Sequence, residues 1–401
     1  MRQRALNEPR RILVLTLSFG AGHVRAAHAL AGELSKQAPS SDVRVLDALS
    51  ECRALFSVFY EWPYWLMLRY APVLWNRFSA ARVKQKHQST APAWAFRLGC
   101  PKVFSTIRNF KPDVIVAVEV AACEMAVIAK NSGVTRAPIL NVITDYEAEP
   151  IWVKPEVAAF AVADENVRAE LIEWGAPLAH IAICGIPVDP AFDLVHDRRA
   201  VSCRHLIGDD VPLVLLMGGG MGPTRMHEVA RRLAENNVPM HIVAIAGKDK
   251  RVRRRLEKLN VSPPVSLQVL GWSDEVAALM QTAAVLVTKP GGLTIAEAAL
   301  CSVPQVFFDP IPGAEFVNAK RMVDGGAAVI TKGASETAGT VALLLQDERL
   351  RLAMTLRARE MQQPFARRQI AQLALGLVAR EEVTSQEEVG VLHEAAYEQC
   401  Y

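Results

Sequence analysis

Ala284-Val-Leu-Val-Thr-Lys-Pro-Gly-Gly-Leu-Thr-Ile-Ala-Glu-Ala-Ala-Leu-Cys301 runs from a strand-like segment, Ala284 to Thr288, into a helix-like segment, Ile295 to Cys301, through the pair Gly291-Gly292. Glycines at a strand-to-helix junction let an anion approach the main chain, where unpaired N–H groups and the positive end of the helix dipole meet. On this pattern Glu297 falls in the first turn of the helix, placed to accept hydrogen bonds from a ribose diol beside a diphosphate. Pro312-Gly-Ala-Glu315 and Asn318 follow closely. A nucleotide sugar is the ligand these features imply. A plain strand–helix turn, with the carboxylate answering the dipole, accounts for the glycines equally well.

Outward from this turn, strand and helix patterns alternate. Upstream and downstream lie Val211 to Met217, a helix from Arg225 to Glu235, His241 to Ala246, a basic helix around Lys250 to Leu259, Val265 to Leu270 and Val306 to Asp309. The N-terminal half repeats the scheme: Ile12 to Leu17, a helix from about Arg25 to Lys36, Val43 to Leu46, Val114 to Val118, a helix near Cys123 to Asn131, and Ile139 to Ile143. Short unbroken Val/Ile/Leu runs between amphipathic helices indicate parallel sheets covered on both faces. The expected class is α/β, with two Rossmann-like domains facing a central cleft. Their spans are residues 1–195 and 196–368, followed by a C-terminal helix and acidic tail over 369–401. Each half opens with a strand and a glycine loop, Ser18-Phe-Gly-Ala-Gly-His23 and Gly218-Gly-Gly-Met-Gly222. These loops belong at the C-terminal ends of the sheets, where open α/β folds bind ligands. Neither is a dinucleotide fingerprint or a P-loop: Gly20-Ala-Gly22 lacks a third glycine, and Gly218 to Gly222 lacks the Gly-Lys-Ser/Thr ending.

A chain of 401 residues with 51% hydrophobic content can bury two ordinary cores, and a net charge of +3 does not suggest a nucleic-acid binder. Seven cysteines without CxxC pairs or Cys/His ligand spacing argue against a disulfide framework and a structural zinc site, and fit a reducing cytosol. The basic start, Met1 to Arg11, leads into a strand with no apolar signal core, so no export signal is expected.

A large share of the aromatic content concentrates between Leu55 and Phe78, with Glu61, Pro63, Arg69 and Pro72 as interruptions. A spanning helix needs about 20 apolar residues, so this segment is not expected to cross a membrane. Its rings, mixed with Arg69, Arg77, Arg82, Lys84 and Lys86, suit the boundary between headgroups and acyl chains; a helical subdomain packed on the first sheet suits them too. The cluster Lys248, Lys250, Arg251, Arg253, Arg254 and Arg255 can face the same anionic surface or form a solvated helix face.

As an ordered set, several segments resemble the processive diacylglycerol glycosyltransferases and the galactolipid synthases, inverting enzymes of the GT-B fold. They are Gly20-Ala-Gly-His23 with Ala26-Ala27 and Ala29-Leu30, Thr144-Asp145 with Trp152, Gly185-Ile-Pro-Val188, Gly218-Gly-Gly220, Lys289 to Glu297, and Pro310 to Glu315 with Asn318-Ala319. The resemblance implies a UDP-sugar donor on the C-terminal domain. Lys289, Gly291, Gly292, Leu293 and Thr294 would then line the diphosphate and nucleoside together with Gly218, Gly219 and Gly220. Glu297 would hold the ribose, Trp272 and Ser273 would lie against uracil, and Glu315 and Asn318 would face the sugar. It also implies a lipid acceptor on the N-terminal domain, beside Gly20 and Gly22, with His23 as the base, and a peripheral enzyme at the cytoplasmic face of the membrane. Two departures stand out: Ala314 replaces the usual glutamine that contacts donor-sugar hydroxyls, and Tyr146-Glu-Ala-Glu149 occupies the place of a histidine that many relatives carry.

The chemistry agrees. An alcohol displacing UDP from an anomeric carbon must lose its proton, which a neutral imidazole near its ordinary pKa can take. Helix termini and backbone amides stabilise the leaving diphosphate, so no metal or other cofactor is required. Asp145 can orient His23 or contact the acceptor. The alternatives are a UDP-sugar epimerase or hydrolase of the same fold, a nucleotide-sugar sensor without turnover, and for His23 alone a helix cap. His28 reads as structural. An apolar helix, Ile370 to Val378, can return to the first domain as GT-B enzymes commonly do, before a solvated acidic stretch from Glu381 to Glu388.

Overall fold

The computed structural model describes residues 9–18, 20–70, 89–218, 225–311 and 313–379. Gly219, Gly220, the later part of the aromatic segment and the acidic tail lie outside the described residues. Two six-stranded parallel sheets form the molecule. The first contains β1 (Arg11–Thr16), β2 (Asp42–Asp47), β3 (Val114–Ala117), β4 (Ile139–Val142), β5 (Val157–Val162) and β6 (Ile181–Ile183), in the order β2-β1-β3-β4-β5-β6. The second contains β7 (Leu213–Met217), β8 (Met240–Ile245), β9 (Val265–Leu270), β10 (Val285–Thr288), β11 (Gln305–Phe307) and β12 (Ala328–Ile330), in the order β12-β11-β10-β7-β8-β9. β3, β4, β7, β8 and β10 are buried along their whole length, as strands covered on both faces must be.

In each sheet the strand order switches sides at its first strand. Leu15 of β1 pairs with Ala117 of β3, and Val214 of β7 with Val285 of β10. A crevice opens at the C-terminal ends of strands at such a point. Leu17, Ser18 and Gly20 therefore stand at one crevice and Lys289 to Gly292 at the other. Gly20 has φ +112 and starts the helix Ala21–Gln37.

The chain leaves the first sheet through Gly185 to Val188 and comes back through residues 363–379. Gly185 has φ +88, and a Cβ there would lie 2.4 Å from Cβ of Gln363, so the crossing needs glycine twice over. Arg367 donates to the Val188 carbonyl at 2.8 Å and pairs with Asp193. Residues 366–379 are helical and bury Ile370, Ala371, Ala374, Leu377 and Val378 in the same core cluster as β1, β3 and β4.

The expectation of cysteines without a disulfide requires correction, whereas Pro63 interrupts the apolar run of the helix Ala54–Tyr70 without ending that helix. Proline removes one main-chain hydrogen bond, but packing of Phe56 and Tyr60 on Phe96 holds the helix on the domain. The cysteines also include one bonded pair: Cys52 and Cys100 form a disulfide with Cα atoms 4.1 Å apart. They lie 48 residues apart and meet because the aromatic insertion leaves and re-enters the domain at one point, where Arg53 N–H also donates to the Gly99 carbonyl at 2.7 Å. Cys123 and Cys184 are buried free thiols, Cys301 is half-buried and Cys203 is exposed.

On its outer side the helix Ala54–Tyr70 exposes Leu55, Val58, Phe59, Trp62, Leu66 and Tyr70, a single stripe at spacings of three and four. Trp94 and Leu98 are exposed on the neighbouring helix Ala93–Gly99. No helix among the described residues is long and apolar enough to cross a membrane.

Candidate functional site

The helix Gly292–Leu300 starts three residues earlier than its sequence pattern indicates, with Gly291 as N-cap and no side chain capping it. Glu297 is consequently in the second turn, not the first, because Gly292, Leu293 and Thr294 join the helix instead of preceding it. Its side chain is turned inward. Glu297 is 1% exposed, its Oε1 accepts no hydrogen bond, and burial pushes its carboxyl up to about 7. The Arg25 guanidinium, 3.6 Å away on the helix Ala21–Gln37, opposes that rise. The amides of Gly292, Leu293 and Thr294 form the open first turn, which favours an anion.

His23, half-buried on the opposite half, places Nδ1 2.7 Å from Thr144 Oγ1. Burial lowers its pKa, and the nearby Asp145 carboxylate partly restores it. Thr144, not Asp145, makes the hydrogen bond to the ring. Asp145 Oδ1 instead accepts from Asn318 Nδ2 at 3.0 Å. Asn318 is fully buried and fastens three groups at once, since its Nδ2 also reaches the Pro290 carbonyl at 3.3 Å and its Oδ1 accepts from Tyr146 N–H at 2.8 Å. Nearby, Arg321 pairs with Glu170 and donates to the Tyr146 carbonyl at 3.4 Å.

The glycines face each other across this seam. A Cβ on Gly292 would lie 2.1 Å from the Thr144 carbonyl oxygen, and one on Gly22 would lie 3.5 Å from Leu293 Cβ. Thus His23, Asp145, Gly22, Gly292, Leu293, Glu297 and Asn318, from both halves, converge on one seam.

Lys289 is buried at the end of β10, with its pKa lowered by burial and partly restored by Glu315 and Asp309. Glu315, at the start of the helix Ala314–Asp324, accepts the Ile311 amide at 2.7 Å; burial raises its pKa. Gly218 is buried at the end of β7, and Thr294 is half-buried. Trp272 is 57% exposed beyond β9, with the Lys248 ammonium 5.1 Å from its ring centroid, while Ser273 Oγ accepts from Glu275 N–H at 3.1 Å. An exposed indole backed by a cation offers a free face for stacking. His28 is exposed, so it does not serve the core. Among the described residues no group of three or more His, Cys, Asp or Glu side chains is placed to hold a metal ion.

Three features escaped the sequence reading: Arg25 on Glu297, the Thr144 hydroxyl on His23, and Glu119. Glu119 lies at the end of β3, 6% exposed, and its Oε2 caps the helix Val120–Asn131 by accepting from Ala121 and Ala122 N–H at 2.7 and 3.0 Å. Burial raises its carboxyl to about 8.

Two parallel-sheet domains meeting at a seam of glycine loops define a GT-B fold, and similarity to known proteins points to its glycosyltransferases. Residues 23–188 match the family model for monogalactosyldiacylglycerol (MGDG) synthase, and residues 220–361 match that for glycosyl transferases group 1. A processive diacylglycerol beta-glucosyltransferase of Bacillus mycoides is 26% identical over 346 residues, covering 86% of this chain and 88% of that protein. Among solved structures, MurG of Acinetobacter baumannii superposes with a TM-score of 0.61 at 16% identity, over 92% of this chain and all of the other. Anabaena HepE, solved in complex with UDP, gives 0.54 at 16% identity over the same shares. The chain is accordingly a sugar-transferring enzyme of the GT-B fold. It is related to the diacylglycerol glycosyltransferase and MGDG synthase family.

Proposed function

We propose that this chain transfers a hexose or N-acetylhexosamine from a UDP-sugar to a lipid hydroxyl, such as that of diacylglycerol, with inversion, at the cytoplasmic face of a membrane. The observation that carries the proposal is Glu297. A buried carboxylate with an unpaired oxygen, one turn inside an open helix N-terminus, suits a ribose diol whose diphosphate lies on the Gly292, Leu293 and Thr294 amides. Lys289, behind the same turn, adds positive charge, and the exposed face of Trp272 suits the uracil ring. Because Gly292 lies against the Thr144 carbonyl, the halves must separate for the diphosphate to enter.

On the acceptor side, His23 with Nδ1–H donating to Thr144 Oγ1 keeps Nε2 free to take the proton of the attacking hydroxyl. The lowered pKa keeps the ring neutral at physiological pH, and the Asp145 charge stabilises the imidazolium formed in the transition state. The helix amides and Lys289 stabilise charge on the departing diphosphate. The named activity of the Bacillus relatives supports a lipid acceptor, and the apolar stripe of the helix Ala54–Tyr70 supports action at a bilayer. The exposed basic side chains of Lys250–Leu256 supply charge complementary to anionic lipids. Incubation with labelled UDP-glucose, UDP-galactose and UDP-N-acetylglucosamine and a total lipid extract should give a labelled lipid. No transfer from any donor by folded protein refutes the proposal, and turnover of a donor without acceptor indicates an epimerase or hydrolase.

A further inference from the structure

Arg25 and Glu297 are 272 positions apart and sit on opposite halves, yet the guanidinium Nη2 lies 3.6 Å from the carboxylate Oε1 that has no hydrogen-bond partner. The arginine is about a third exposed, whereas the glutamate is buried. We propose that Arg25 is a positioning residue for the donor nucleotide: it reaches from the acceptor half and keeps Glu297 ionised and oriented to receive the two ribose hydroxyls. This inference rests on Glu297 being the ribose ligand.

The physical requirement is simple. A carboxylate can accept hydrogen bonds from both hydroxyls of a diol, whereas a carboxylic acid has converted one of its oxygens into a donor. A carboxyl this deeply buried favours the acid form, and its value of about 7 lies where a modest change in surroundings decides the charge. The groups acting on it are Arg25, which favours the carboxylate, and Asp189, which disfavours it. Cys301, one turn further along the same helix, stays a thiol because burial and Glu297 push it up to about 12. On the adjoining helices, His23 is turned to Thr144, Glu315 to the Ile311 amide, Arg321 to Glu170 and Arg357 to Glu360. Arg25 is therefore the cation held against Glu297 among the described residues. Since it comes from the other half, the donor site gains its ionised carboxylate when the halves meet.

The test is binding of UDP-glucose, whose phosphates do not titrate near neutrality, by calorimetry from pH 5.5 to 8.5 without acceptor. Four proteins are compared: wild type, Arg25→Gln, Arg25→Lys and Glu297→Gln, each checked for an unchanged melting temperature. In the wild type affinity falls as pH drops through the Glu297 value. In Arg25→Gln the fall moves to higher pH: because the wild-type carboxyl is half ionised at pH 7, a displacement of one pH unit gives about fivefold weaker binding there and near wild-type binding at pH 8.5. Arg25→Lys restores most of the lost affinity at pH 7. Glu297→Gln binds weakly and with little pH dependence. If Arg25→Gln binds like wild type, or is weaker by one constant factor at every pH, Arg25 does not set the ionisation of Glu297 and the inference fails. If Glu297→Gln binds as tightly as wild type, the ribose assignment itself fails, a distinguishable outcome.

Discussion

Replacing Phe59 and Trp62 together with serine should detach the protein from lipid bilayers while leaving its fold intact. Both rings lie on the outer stripe of the helix Ala54–Tyr70, 70% and 62% exposed, so the folded domain loses little contact when they are removed. Fully burying a large apolar side chain is worth about 1.5–3 kcal/mol, and roughly two thirds of each ring remains to be buried. Insertion at the headgroup boundary then contributes about 1–2 kcal/mol per ring, or about 2–4 kcal/mol for the pair. The double variant should partition between about 30-fold and 1,000-fold more weakly into vesicles of phosphatidylcholine and phosphatidylglycerol, read by co-sedimentation. Phe56→Ser provides the contrast: that ring stacks 5.5 Å from Tyr60 and 5.7 Å from Phe96 on the inner face, so the change should lower the melting temperature. Unchanged vesicle binding and unchanged glycolipid output by the Phe59/Trp62 variant would refute the bilayer role and leave the stripe as an ordinary exposed face.

His23→Gln should reduce kcat by about 10²–10⁴ while UDP-sugar affinity stays close to wild type, because the lost group acts on the acceptor proton. In the wild type, the acid limb of the kcat profile should lie below pH 6.5, since burial lowers the His23 pKa from that value; a limb at higher pH rules out the assigned base. Glu119→Gln should stabilise the protein progressively as pH rises from about 4.5 to 8. The native carboxyl stays protonated up to about 8 while the unfolded one ionises near 4.5, so the native state loses stability across that window. The limit is about 5 kcal/mol, visible as a melting-temperature gain at pH 8 that is absent at pH 4.5; equal gains at both would exclude the titration. Serine at both Cys52 and Cys100 should cost about 4 kcal/mol in oxidised protein, the chain-entropy value for a loop of this length, and nothing after reduction. Urea titrations in the two conditions measure the difference.

Strands such as Ile12 to Leu17 and Ile139 to Ile143 were readable because a parallel strand buried on both faces leaves an unbroken apolar run. β5 was not, as Val-Ala-Ala-Phe-Ala-Val has alanines that suit a helix equally, and β6 and β12 are three residues long, too short to show a period. The donor turn was recognisable as a turn. Its helix start was misplaced because two glycines look like a break, although an N-terminal turn tolerates them at small cost. The His23, Asp145 and Asn318 constellation could be named from motifs, but not its wiring. Whether Thr144 or Asp145 holds the imidazole, and whether Arg25 meets Glu297, depends on how two separately folded sheets dock. No periodicity within one segment records a contact of that kind.

The bond between Cys52 and Cys100 pinches the chain to a neck only 4.1 Å wide between Cα atoms. The described residues strung between them, including the helix with the apolar stripe, form a peninsula moored to the mainland at this neck and again where Thr90 N–H donates to Glu124 and Phe96 enters the core. Residues can be added to or removed from the outgrowth away from Phe96 and Thr90 without shifting the register of β2 or β3 on either side, since extra loop length changes closure entropy only slowly. Variation in this one outgrowth could therefore retune which surface the enzyme visits while the seam between its two sheets stays as it is.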